Sequence, residues 1–277
     1  EDLFAAGLEA VKQVAKKTWL ISGDDKKLPA NAASVTGVVH RVVQAKYPAE
    51  NAGVQVWYTE PLEDDEVAVG LNVEDIIDIG YLFLNGTLRT ERTYAVAGDG
   101  AKAKKHFTGH VGMKVLDVVG QDDEALGDAR VIAGGIFTGN KVSTNDYLSA
   151  GDRCLQVMKE DRYRTPFHFQ TRLGAKSLTL FKAWVAGWTS PGTGEATTST
   201  HGEERACIQC GKCIEVCPVA LMPNLVLKAA VAEDIEKMES VFIHDCVDCG
   251  LCTFACPSKI ELGQHIEAGK ALIEKEG

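Results

Sequence analysis

The chain has 277 residues, 45% hydrophobic and 25% charged, which excludes a disordered or fibrous polypeptide and is long enough for about two domains. Its 29 basic against 39 acidic residues give a net charge of -10, so bulk electrostatics offer no hold on nucleic acid or anionic lipid. No run approaches the roughly 18 to 20 consecutive apolar residues of a membrane-spanning helix.

The start, Glu1-Asp2-Leu3-Phe4, has neither an initiator Met nor a basic-then-apolar signal pattern, so nothing indicates export and the chain is expected to begin inside a domain. Leu3, Phe4, Leu8, Val11 and Val14 fall on one helical face, and Trp19-Leu20-Ile21 reads as a short buried strand. Residues 53–58, Gly-Val-Gln-Val-Trp-Tyr, read as another strand, and the acidic stretch 60–66 with Pro61 as an exposed loop. A helix is expected from Val73 to Leu84, capped by Asn72 with acids in its first turn and ended at Asn85-Gly86.

From Arg92 the texture changes to short β-like runs, Thr93-Tyr94-Ala95-Val96-Ala97 and Arg130-Val131-Ile132-Ala133, punctuated by glycines. This predicts a compact α+β module ending near Met158. Residues 177–188, with Phe181, Trp184 and Trp188, are read as core packing, the alternative being a surface that docks on a partner in a complex. Residues 189–204 are small and polar and form the clearest linker. Beyond it, Leu225, Val231, Ile235 and Met238 fit helical spacing, as do Leu262, Ile266, Gly269 and Ile273.

Eight of the nine cysteines lie in two compact runs, Cys207-x2-Cys210-x2-Cys213-x3-Cys217-Pro218 and Cys246-x2-Cys249-x2-Cys252-x3-Cys256-Pro257. Repeated tight spacing of this kind reads as metal binding in a reducing, cytoplasmic compartment rather than as a disulfide framework. In the bacterial-ferredoxin spacing three thiolates hold one 4Fe-4S cluster and the fourth cysteine crosses to the other. The expected ligand sets are therefore Cys207, Cys210, Cys213 and Cys256 for the first cluster, and Cys246, Cys249, Cys252 and Cys217 for the second. Two structural zinc sites are the competing reading, but zinc modules use two separated C-x2-C pairs.

Gly211 and Gly250 follow the second cysteine of each run, where backbone N–H groups can approach cluster sulfur, while Pro218 and Pro257 turn the chain away. Lys212 lies in the first run and Asp245 and Asp248 flank the second, so the first cluster is expected to be the easier to reduce. Cys154 is read as a small hydrophobe with no role. Among the histidines, 106, 110, 168, 244 and 265 share no ligand spacing, and His244 is the one candidate for a donor beside the second cluster.

The cluster runs, Glu204-Arg205-Ala206-Cys207 through Met222-Pro223 and Asp245-Cys246 through Lys259-Ile260, resemble those of the cluster-bearing C component of the Rnf electron-transport complex. Residues 75–86, Glu91-Arg92, 130–139 and the closing 273–277 resemble the A component of the sodium-translocating NADH:quinone reductase, which belongs to the same family. The resemblance implies an α+β multidomain chain. Residues 1–69 would be the end of an α/β, Rossmann-like domain, and 70–158 a connecting helix with a β-grasp, SLBB-like module. Residues 159–204 would be connector and linker, and 205–277 a mainly helical two-cluster ferredoxin domain.

The same resemblance implies an electron-relaying subunit of an ion-translocating oxidoreductase, partnered by other subunits of a membrane-bound complex. It would sit peripherally on the cytoplasmic face of the membrane, with only indirect membrane contact. The sodium-pump component typically lacks the cluster cysteines, whereas this chain has all eight. The glycine-rich loops through which the Rnf component is expected to bind NADH and FMN are missing from this sequence, so those cofactors would need a preceding region. Asn72-Val73-Glu74 resembles a flavin-contacting stretch of a complex I relative, but reads first as a helix cap. The iron-sulfur subunit of a soluble reductase, of the fumarate or heterodisulfide type, is the alternative. An assembly protein with structural clusters is a third possibility.

Overall fold

In the computed structural model, which describes residues 2–23, 35–63, 66–160, 198 and 203–276, the chain opens with helix α1, Asp2–Val14. It belongs to the first of two units, Glu1–Thr90 and Glu91–Gly277. Phe4 and Leu8 of α1 are buried with Ile76, as the helical spacing predicts, but Val14 at the helix end is 88% exposed. Strands β1, Thr18–Ser22, and β2, Val38–Val42, pair in parallel, and β1 is half-buried rather than buried.

Residues 53–58 are not a strand. They lie within helix α2, Ala52–Thr59, because Asn51 caps it, its side-chain oxygen accepting from the amides of Gly53 and Val54 at 2.9 and 3.4 Å. A strong cap outweighs the modest β preference of Val, Trp and Tyr, and a short apolar run carries no period of its own.

Helix α3, Val73–Asn85, has the expected ends. Asn72 and Asp75 form a reciprocal capping box, and Gly86 closes the helix in the left-handed conformation. The side-chain oxygens at this corner are thus engaged in helix capping. The packing of α3 on α1 is close enough that a Cβ added at Gly80 would stand 1.8 Å from the Leu3 carbonyl oxygen, and one at Gly7 1.9 Å from that of Ile76. Sequence grouped α3 with the module that follows; in the structure it packs along α1.

The second unit begins with a five-stranded sheet of β3 (Glu91–Ala97), β4 (Lys105–His110), β5 (Ala129–Ala133), β6 (Asn140–Val142) and β7 (Cys154–Lys159). Their spatial order is β4-β3-β7-β5-β6, with β3 and β7 parallel and the other pairs antiparallel. A first hairpin, a second hairpin and a last strand inserted between them is the β-grasp arrangement. Alternation along β3 turns Arg92, Tyr94 and Val96 inward. Tyr94 and Val96 meet Leu155 and Val157 of β7 and Val115, Val118 and Val119 of the short helix α4, Val115–Val119. Another short helix, α5, Asp123–Leu126, leads into β5.

The cysteine-bearing part of this unit is helical. It contains α6 (Lys212–Glu215), α7 (Pro223–Val231), α8 (Ile235–Ser240), α9 (Leu251–Ala255) and α10 (Leu262–Glu276). The stretch 224–240 is two helices, not one. Glu233 takes a left-handed conformation at φ 53°, and Asp234 caps α8 by accepting from the Lys237 amide at 2.9 Å. Val231 is consequently exposed, while Val226, Ala229, Met238, Ile243 and Ile266 of α10 form the core. The aromatic stretch 177–188 and nearly all of the linker 189–204 lie outside the described residues. Among the described residues no helix is long and apolar enough to cross a membrane.

Candidate iron-sulfur centres

Every position of the second run lies 39 residues after its counterpart in the first, as Cys246 follows Cys207 and Cys256 follows Cys217. The backbone repeats with the same offset. Left-handed residues occur in pairs at Gln209 and Asp248, Gly211 and Gly250, and Ala220 and Lys259. Alternating right- and left-handed residues turn successive N–H groups towards one concavity, which suits a negatively charged cluster. Each run folds back over a one-turn helix, α6 or α9, that carries its third cysteine.

The structure brings the runs together in the crossed sense. Cys207, Cys210 and Cys213 line one cavity with Cys256 of the other run, closed by Asn224, Leu227, Ile260 and Leu262. On the other side, Cys217 lies close enough to Cys249 to oppose its ionisation, and Cys246 and Cys249 do the same to Cys252. Cys207, Cys210, Cys213 and Cys256 surround a cavity rather than a point. Among the described residues no three of His, Cys, Asp or Glu converge as ligands of a single metal ion.

Hydrogen bonds hold Cys256 beside the first run. The Arg205 amide donates to the Ser258 carbonyl at 2.8 Å, the Arg205 guanidinium to the Pro257 carbonyl at 2.7 Å, and the Ser258 hydroxyl to the Ala206 carbonyl at 3.0 Å. The segment entering the first run is thereby tied to the segment leaving the second.

Burial divides the eight cysteines. Cys207 and Cys210 are exposed, whereas Cys213 and Cys249 are buried and the other four are half-buried. Burial pushes the thiol of Cys246 up to about 11 and that of Cys252 up to about 12, and raises Cys213 and Cys249 as well. The backbone amides of Asn224, on the first turn of α7, and of Ile214 offset part of the rise at Cys213. At the matching place in the second half, the Gly263 amide on the first turn of α10 donates to the Thr253 hydroxyl at 2.8 Å, and Thr253 in turn relieves Cys252. Thr253 stands where the first run has Ile214, so the repeat is broken there by a hydroxyl.

The charges differ from the expectation based on sequence neighbours. Lys212 pairs with Glu215, and Asp248 is met by Lys270, whose ammonium also donates to the Cys246 carbonyl at 2.7 Å. The positive charge that stays near the first cavity is instead that of Arg205 and Lys259 beside Cys256, and burial lowers the pKa of Lys259. His244 is exposed in the turn before Cys246. Cys154 is half-buried on β7, accepting from the Gln156 amide at 3.4 Å, with its thiol raised by burial.

Thr253, Asn224 and Lys270 were not singled out from sequence. Aligning the two halves by their offset would have marked Thr253 against Ile214 and Lys270 against Val231.

Comparison with known proteins finds matches at both ends of the chain. Residues 203–260 match the family model described as a 4Fe-4S dicluster domain. Residues 1–88 match the one described as the NqrA second alpha/beta domain. Over its whole length the chain is 29% identical to the A component of the Na(+)-translocating NADH-quinone reductase of Marinomonas sp. (strain MWYL1), and 28% identical to those of Vibrio campbellii and Cellvibrio japonicus. It spans 62% of the length of each of these relatives. The dicluster match takes in every cysteine of both runs.

Proposed function

We propose that this chain is an electron-relay subunit of an ion-translocating oxidoreductase of the Rnf/Nqr type, passing single electrons through two 4Fe-4S clusters between NADH or ferredoxin and a quinone or NAD acceptor. The observation that carries the reading is the cavity lined by Cys207, Cys210, Cys213 and Cys256, which draws on both runs at once. Crossed ligation holds two centres close together, and closeness is what a relay needs. The clusters would supply the redox chemistry. The chain would hold them, aim amides at their sulfurs and set their exposure to water.

The likeness to the A component of Na(+)-translocating NADH-quinone reductases supports a relay that works inside a membrane-bound complex, with the other components as partners and the chain on the cytoplasmic face.

Anaerobic purification followed by iron and sulfide analysis, Mössbauer spectroscopy and EPR of the reduced protein tests the proposal. About eight irons and eight sulfides per chain, with two interacting reduced-cubane signals, are expected. Stoichiometric zinc, or no cubane signal, would overturn it. Copurification with soluble subunits alone would move the chain to the soluble-reductase class.

A further inference from the structure

Gly211 and Gly250 occupy the same left-handed place in the two runs, at φ 74° and 71°. A Cβ added at Gly211 would meet nothing within 4 Å. One added at Gly250 would stand 2.8 Å from the carbonyl oxygen of Phe137 and 3.2 Å from its Cβ. Phe137 belongs to the turn between β5 and β6 of the β-grasp sheet, far from Gly250 along the chain.

Two further observations converge on that contact. The Phe137 ring packs edge-on against Phe254, with centroids 5.1 Å apart and planes at 71°. Phe254 stands where the first run carries Glu215, an exposed acid paired with Lys212. An aromatic thus replaces a solvated charge at the one run that receives an aromatic partner. The turn that presents Phe137 is stiff. The Gly134 amide donates to the Cys154 carbonyl at 2.8 Å and the Gly139 amide to that of Gly135 at 2.7 Å. A Cβ on Gly139 would lie only 2.5 Å from the Ala133 oxygen.

We propose that the turn 134–139 of the β-grasp sheet is the cover of the second cysteine run, with Phe137 as the positioning residue that keeps water from the cluster bound by Cys246, Cys249, Cys252 and Cys217. This rests on the two-cluster reading above. Reduction adds negative charge to a cubane, and water stabilises that charge, so a covered cluster is held at a lower potential than the same cluster opened to solvent. The first run, with Cys207 and Cys210 exposed and open space at Gly211, has no such cover among the described residues.

The experiment uses the full chain with its clusters, prepared anaerobically as wild type, Phe137→Ala and Gly250→Ala. The second-run EPR signal is identified by its loss in Cys246→Ser. Redox titration followed by EPR, and deuterium modulation of the EPR signals after transfer to D2O, are the readouts. Phe137→Ala should raise the midpoint of the second-run signal and deepen its deuterium modulation, leaving the first-run signal unmoved. Gly250→Ala, whose methyl would displace the Phe137 backbone, should do the same. Phe137 is more than a third exposed, so its truncation leaves the folded sheet intact, and it carries the test if Gly250→Ala does not fold. Two intact cubanes whose second-run midpoint and deuterium modulation are unchanged in Phe137→Ala would overturn this inference alone. A wild-type chain without cubanes would overturn the functional reading as well.

Discussion

At the first cysteine run Cys207 and Cys210 are exposed and Gly211 has open space around it. At the second, none of the four cysteines is exposed and the backbone of Phe137 stands over Gly250. Yet the two runs have the same spacing and the same three left-handed residues. The comparison separates two kinds of information. Spacing and backbone handedness choose what is bound, and the surroundings choose how differently two copies of the same site behave. Here the surroundings differ in burial, in the Thr253 hydroxyl and in the placement of charge.

The largest expected effect tests whether the halves are crossed at all. Replacing Cys256 by Ser should remove the cluster held by Cys207, Cys210 and Cys213, so that iron falls by about half and the first-run EPR signal disappears. Replacing Cys217 should do the reverse. Losses that stayed within each variant's own run would break the comparison at its root.

A second substitution serves as a control for both runs. Gly80→Ala drives a methyl into the Leu3 carbonyl and should cost the α1–α3 pair about 1 to 3 kcal/mol, seen in thermal unfolding of the first unit, with iron content unchanged.

Thr253→Val removes the hydroxyl that links the first turn of α10 to Cys252. One hydrogen bond of about 1 kcal/mol corresponds to roughly 40 mV for a one-electron couple, so the second-run midpoint should fall by about that amount. Thr253→Ser should restore it. An equal shift in both signals would mean that the hydroxyl does not distinguish the runs.

The smallest effect is expected from Lys270→Gln, which leaves Asp248 unopposed beside Cys246. Asp248 is largely exposed and screened by solvent, so the second-run midpoint should drop by less than in Thr253→Val, and the drop should fade at high salt.

Much of this was legible in the sequence because it is local. The Asn72 cap, the Gly86 stop and the buried face of α10 are each written within a few residues, and so is the ligand spacing. The readings that failed involved local signals in competition. Residues 53–58 carry β-forming side chains behind a helix cap, and the cap prevails. The stretch 224–240 carries helical spacing across a left-handed break at Glu233 and a new cap at Asp234. The surroundings of the two cysteine runs were legible least. Lys212 and Asp248 were read from their neighbours in the chain, but their charges are met by Glu215 and by Lys270, the latter from a different helix. Phe137 reaches Gly250 through tertiary packing that no local pattern encodes.

The tie between Arg205-Ala206 and Pro257-Ser258 bears on how the proposed first cluster would be loaded. Bringing Cys256 to the side of Cys207 closes a loop of roughly fifty residues, an entropic cost that iron would otherwise have to meet at the moment of insertion. Polypeptide hydrogen bonds meet it beforehand. On the proposed ligation the fourth thiol would stand beside the other three before a cluster arrives, and cluster delivery at this centre would be a docking step rather than a folding step.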